Sequence, residues 1–227
     1  MFYALGEMPD MLKVIEYSFK IMPQILEGLK ITLEVFGLTL LLSIPLGILI
    51  AVMRISKNAF LKSISGLYVL IMRGTPLLLQ IIVVFFGLPI VGITFDRFPA
   101  AIIAFTLNYG AYFGEIFRGG INSIDKGQIE AAQVLGMDSK DTFFRIILPQ
   151  AFKRVLPPVV NEITTLVKDT SLVYVLGLDE MLKLAKIAAN RDVSLMPLLI
   201  VGLVYLAVIG ILSYILRKVE HKYDYYE

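Results

Sequence analysis

Gln128 to Pro149 reads QIEAAQVLGMDSKDTFFRIILP, the longest strongly polar run in a chain that is otherwise apolar. It has the grammar of two short helices joined at a glycine. Gln128 to Leu135 holds no proline and no β-branched pair, and Gly136 stands where a left-handed residue would end the helix. Asp138 or Ser139 can cap a second helix, with Asp141 or Thr142 in its first turn and Phe143, Phe144, Ile146 and Ile147 as apolar contacts before Pro149. Ala131 and Ala132 leave little bulk beside Glu130, so another surface can approach closely there. Spacing alone leaves two readings open, a structural connection and a docking element.

Around this run, 57% of the 227 residues are hydrophobic and the mean hydropathy is +0.78, more apolar surface than a soluble domain keeps from water. The composition predicts an integral membrane protein, and the segments taken in order below an all-α one of about five spans. A net charge of +2 without basic blocks gives a nucleic-acid partner no electrostatic support. Cysteine is absent and the single histidine, His221, lies in a polar tail, which excludes disulfides, thiol chemistry and Cys/His metal sites. No catalytic pattern of the Ser/His or carboxylate-metal kind occurs, so neither a catalytic residue nor a bound metal is expected. The N-terminus carries Glu7 and Asp10 and lacks the basic start of a cleaved signal, so the first spanning helix is expected to stay as an anchor.

Leu12, Ile15, Phe19 and Met22 recur at helical spacing, predicting a short amphipathic helix on the membrane surface that Pro23 separates from the first span. That span is expected from about Gly28 to Met53, with a kink near Pro45 and Gly47. The second, about Ile64 to Val91, should break at Met72 to Pro76, where the proline removes a ladder bond. Arg73 there either pairs with a carboxylate or marks the membrane boundary. Phe98 to about Phe117 is the third span. Its Asn108, Tyr112 and Glu115 fall at i, i+4 and i+7 and share one face. Glu115 can pair with Arg118 on the same helix or contact a transported molecule, and the spacing does not choose.

Pro157 and Pro158 suit the start of a fourth segment. Within it Asn161, Thr164, Thr165, Lys168 and Ser171 form one polar stripe on an apolar helix, with Glu162 and Asp169 on the adjoining face. Charge at mid-bilayer costs about 2.5 to 3.5 kcal/mol by insertion scales, so the stripe should face a partner helix or a hydrated path. Leu178 to Val193 is polar again, with Asp179 as a candidate cap of a short surface helix, and Leu195 to Leu216 is the fifth span. Tyr223, Tyr225 and Tyr226 in the tail suit the headgroup level.

Basic residues are unequally divided. Arg54, Lys57, Lys62 and the loop and tail residues from Arg118 to Arg154 and Arg217 to Lys222 fall on one side, outnumbering Lys13, Lys20, Lys30, Arg97, Lys183, Lys186 and Arg191 on the other. This bias predicts a cytoplasmic polar loop and C-terminus, with the N-terminus outside. No GxxxxGK(S/T) phosphate loop occurs, and five spans are few for a complete alternating-access path, so energy and a second half must come from other chains.

Glu130-Ala131-Ala132, then Gly136, Ile146, Leu148 and Pro149, resembles the EAA loop of permease subunits of ABC importers. MRGTPLLLQ, LNYGAYFGEIFRGGI and PPVVNEITTLVKDTSL are similar to segments of the polar amino acid subfamily, the histidine, glutamine and arginine systems, and the resemblance runs from about Gly28 to the tail. It implies a type I importer transmembrane fold: an extracytoplasmic segment over 1–27, a permease domain over 28–217 with its coupling loop at 119–150, and a cytoplasmic tail over 218–227. It implies coupling through Glu130, Ala131, Ala132, Gly136 and Pro149 to an ABC ATPase present in two copies, which would bind the ATP and Mg. It implies a second permease chain, identical or related, an extracytoplasmic amino acid-binding protein, and a bacterial cytoplasmic (inner) membrane. Pathway candidates are Asn108, Tyr112, Glu115, Asn161, Glu162, Thr165 and Lys168, where an extra carboxylate favours a basic amino acid. The alternative is a proton-coupled secondary transporter using Glu115, Glu162 or Asp169.

Overall fold

The computed structural model describes residues 11–223, which are mostly helical, with short connections and no strand among them. The expectations for Glu7, Asp10, Tyr225 and Tyr226 lie outside the described residues. Helix α1 spans Met11–Ile55, α2 Ala59–Gly74 and α3 Leu77–Ile82, the last continuing through a π turn and a 3-10 turn to Val91. Then come α4 (Arg97–Asn122), α5 (Lys126–Val134), α6 (Ser139–Thr142) and, after a π turn, α7 (Leu148–Asp169). A 3-10 segment, Thr170–Leu176, leads to α8 (Met181–Asp192) and α9 (Met196–Tyr223).

Among the described residues, Val14–Ile55, Arg97–Asn122 and Met196–Lys222 are long and apolar enough to cross a membrane, and α2 with Leu77–Val91 makes a fourth, broken span. The break falls where expected: Arg73 lies in the last turn of α2, and Thr75 is extended, with φ −121° and ψ 148°, just ahead of Pro76. Helix α7 stands in the place of the expected fourth segment. Its polar stripe keeps it out of the apolar set.

Two proline expectations are corrected. Pro23 does not separate a surface helix, because α1 runs unbroken for 45 residues through both Pro23 and Pro45. A proline removes one ladder bond, here the one to the Phe19 carbonyl, and the turns on either side are fixed by burial of Ile21 and Ile25. Leu12, Ile15 and Phe19, expected on the apolar face of that helix, are exposed along α1. Pro157 and Pro158 do not start a helix either, since they lie inside α7. Ala151 on one side and Ile163, Leu166 and Val167 on the other are buried, and they hold the helix together across the two lost bonds.

The described chain forms two compact units, residues 11–38, 78–104 and 164–212 in one, and 39–77, 105–163 and 213–223 in the other. In the first, Ile21 and Ile25 of α1, Met181, Ala185 and Ala188 of α8, and Ile200 and Val201 of α9 make one core, edged by Tyr17 and Tyr205. A Cβ on Gly28 would lie 2.6 Å from the Met181 nitrogen and 2.8 Å from the Glu180 carbonyl carbon, so only glycine lets α1 approach the start of α8. Glu180, and not the expected Asp179, caps α8. Its carboxylate accepts from the Leu182 and Lys183 amides at 2.7 and 2.6 Å, and the Tyr205 hydroxyl donates to it at 3.2 Å. Asp179 instead pairs with Lys183 at 2.6 Å.

In the second unit, α1 and α4 approach through small residues, as membrane helices do where backbones come close. A Cβ on Gly114 would sit 2.7 Å from a methyl of Ile50, and one on Gly110 would sit 2.6 Å from a methyl of Leu46. Ile50, Val69 and Ala111 form the buried centre, with Tyr68 and Met72 of α2 packed on it, and the Tyr68 hydroxyl donates to the Leu107 carbonyl at 2.5 Å.

Gly28→Ala pushes a methyl against backbone that cannot move aside, and a loss of about 1–3 kcal/mol is expected in thermal unfolding of the detergent-solubilised protein. Glu180 gives a pH signature. Burial pushes its carboxyl above the ordinary value of 4.5, against the pull of its two amide donors, Tyr205 and the Lys183 charge. The stability of its neutral form is therefore fully present below that ordinary value and is lost as pH rises through the folded value. As pH rises above 4.5, the melting temperature of Glu180→Gln should fall less than that of the unaltered chain.

Candidate functional site

The polar run folds into a clamped hairpin of helices. Asp125 caps α5 by accepting from the Gly127 amide at 2.7 Å, and Asp138 caps α6 by accepting from the Asp141 amide at 2.7 Å. Between them Gly136 takes φ 77°, as its position in the sequence required. The Met137 amide donates to the Ala132 carbonyl and the Gly136 amide to the Gln133 carbonyl, each at 3.0 Å, so the last carbonyls of α5 are satisfied by backbone alone. Ala132 is buried, while Glu130 and Ala131 are exposed and Val134 and Leu135 are 88% and 79% exposed. The loop thus turns two large apolar side chains outward beside a carboxylate, with nothing of its own chain over them.

Its roots are fixed. Gln150 donates to the Gln128 side chain at 2.5 Å and to the Ile146 carbonyl at 2.8 Å, and Arg154 donates to the Ser123 carbonyl. A Cβ on Gly120 would overlap Val155, so α4 and α7 touch where the loop leaves and returns. Pro149 lies exposed in the first turn of α7.

On α4 the three expected pathway residues find partners within their own unit. Asn108 donates to the Met72 carbonyl at 3.0 Å. The Arg73 guanidinium lies 5.0 Å from the Tyr112 ring centre. Glu115 takes Arg118 Nη2 at 2.7 Å and Arg54 Nε at 3.0 Å, with its side chain 13% exposed. The sequence anticipated Arg118 but not Arg54, which is 61 residues away in the chain. All three contacts bind α4 to α1 or α2. On α7, Asn161 and Lys168 are exposed, and Glu162 and Thr165 half-buried, so the stripe keeps polar groups accessible along one continuous helix.

Residues 43–223 match the family described as Binding-protein-dependent transport system inner membrane component. The chain belongs to this family. It is 43% identical over 202 residues to the arginine transport system permease protein ArtQ of Bacillus subtilis (strain 168), covering 88% of this chain and 92% of that one. It is 37% identical over 201 residues to the L-cystine transport system permease protein TcyB of the same organism, covering 88% and 86%. A solved structure described as an amino acid ABC transporter with histidines matches with a TM-score of 0.86 at 31% identity, covering 95% of this chain and all of that one. The protein is a membrane-spanning permease subunit of an amino acid ABC transporter, with the type I importer transmembrane fold.

The permease holds two site features the sequence did not disclose. Arg54 looks like one of several loop cations until the fold carries it to Glu115. Glu180 looks like a surface acid until α9 delivers Tyr205 to it. Long-range partners of this kind leave no local spacing to find. Glu115→Gln, which leaves two guanidinium groups facing each other, should cost about 1–3 kcal/mol in thermal unfolding and leave the choice of amino acid unchanged. Altered selectivity with intact stability would instead put Glu115 on the transport path.

Proposed function

We propose that this permease imports polar amino acids, basic ones foremost, driven by ATP hydrolysed on a separate ABC ATPase that seats α5 and the Gly136 turn in a groove. The observation that carries this is the outward display of Glu130, Val134 and Leu135 on a helix whose two ends are capped and whose roots are bonded to α4 and α7. A rigid loop transmits displacement to the helices it joins; a slack one would absorb it. Glu130 and Gly136 are the coupling residues, with Ala131, Ala132 and Pro149 shaping the approach. Two ATPase copies carry the ATP and Mg, and two permease chains, identical or related, complete the path between them. An extracytoplasmic binding protein supplies the amino acid. The excess of basic residues on the loop side supports a cytoplasmic loop and C-terminus, with the N-terminus outside.

Asn161, Glu162, Thr165 and Lys168 supply donors for a carboxylate and acceptors for an ammonium group along α7. With Glu115 held between two guanidinium groups, Glu162 is the carboxylate that favours a cationic side chain. The likeness to an arginine permease supports a basic substrate, whereas the cystine relative shows that substrates differ among chains of comparable similarity.

The test is uptake of radiolabelled arginine, histidine and glutamine, offered separately, into proteoliposomes holding the permease, its ATPase and a binding protein. Uptake that requires enclosed ATP, and that Glu130→Lys abolishes while the protein stays in the membrane, is the expected result. Uptake indifferent to ATP but driven by a pH gradient would overturn the assignment in favour of a secondary transporter.

A further inference from the structure

The corner between α8 and α9 is built at a cost. Val193 closes α8 with φ 47° and ψ 48°, the left-handed region, where a β-branched side chain is strained. The Val193 amide and the Ser194 amide both donate to the Ala189 carbonyl, so the turn takes the form usually given to glycine. Glycine would relieve the strain, and what valine adds is an apolar side chain left 78% exposed. Leu195, next to it, is 71% exposed.

Beside this corner is a cavity of about 690 Å³ whose lining divides by chemistry. Val193, Leu195, Leu198 and Leu199 are apolar and lead into the membrane-spanning part of α9, while Lys186 and Asn190, one helical turn apart on α8, are polar. The Lys186 ammonium lies 4.4 Å from the Tyr174 ring centre and has no carboxylate within ion-pair distance among the described residues. Asp192 at the end of the same helix is engaged elsewhere: it binds Arg191 and Tyr17, and the Arg191 and Tyr17 hydrogen bonds hold its carboxyl well below the usual range. Lys186, with no counter-charge among the described residues, thus stands beside an apolar groove that continues as Leu199, Leu203 and Leu206, each more than 60% exposed along one face of α9. A water-soluble anion would satisfy the lysine and leave the groove bare, and an uncharged acyl chain would do the reverse.

We propose that this corner is a phospholipid site, with the phosphate of an anionic headgroup held by Lys186 and Asn190 and an acyl chain laid along Leu195, Leu199 and Leu203. The start of a spanning helix is the level at which headgroup meets hydrocarbon, and a surface lysine there attracts anionic lipid. The cavity accommodates the glycerophosphate and the first carbons of the chains, the remainder running down the exposed leucines. Val193 forms the wall that keeps the chain against α9.

The experiment uses the full chain with its ATPase in phosphatidylcholine nanodiscs containing a few per cent of phosphatidylglycerol bearing an acyl-chain diazirine, with photolabelled peptides mapped by mass spectrometry. Labelling should concentrate on 193–199. It should drop about fivefold or more in Lys186→Glu and stay unchanged in Lys57→Glu, an exposed lysine elsewhere. Should Lys186→Glu fail to insert, Asn190→Asp sets a negative charge one turn along and should give the same loss. Even labelling along α9, equal labelling in the Lys186 variant, or an equal fall in Lys57→Glu would overturn the site. So would complete loss of labelling on adding the extracytoplasmic binding protein, which would make the corner a protein-docking face.

Discussion

An ion in an apolar surrounding must be answered by another group, and that constraint arranges both units of this permease. In one, Glu115 is answered by Arg118 from its own helix and by Arg54 from the end of α1, which fixes where α1 stops relative to α4. In the other, fully buried Glu180 is answered by two backbone amides and the Tyr205 hydroxyl. The glycines serve the same end. Backbone contact at Gly28 is what brings the start of α8, and with it Glu180, against α1. Were the helices a methyl group further apart, the carboxylate would lose its enclosure.

Features governed by residues near one another in the chain were legible beforehand. Gly136 in the left-handed region, Asp138 as a cap, the break at Thr75 and Pro76 and the approximate spans all follow from local chemistry. Pro23 and the Pro157-Pro158 pair misled because a lost ladder bond is a small term beside the burial of Ile21 and Ile25, or of Ala151 and Leu166, on either side. Asp179 and Glu180 are equivalent caps by sequence. Only the arrival of Tyr205 and Gly28, far along the chain in each direction, distinguishes them.

The site was legible unevenly for the same reason. The exposed loop carries its own instructions, since caps and turn are written within it. The α4 face shows a polar alignment, yet alignment does not say whether Asn108, Tyr112 and Glu115 meet a passing molecule or a neighbouring helix, and in the fold each meets a neighbour. The α7 stripe keeps exposed polar groups at Asn161 and Lys168, so accessibility separates the two polar faces where spacing did not.

The hairpin from Asp125 to Thr142 is held by one glycine, two aspartates and backbone hydrogen bonds, while the Val134 and Leu135 side chains it turns outward are largely exposed. Architecture and recognition are therefore written in different letters of the same short word. A lineage can rewrite Val134 or Leu135 to suit a new partner without learning to fold again, and duplicated permeases can diverge in whom they meet before they diverge in form.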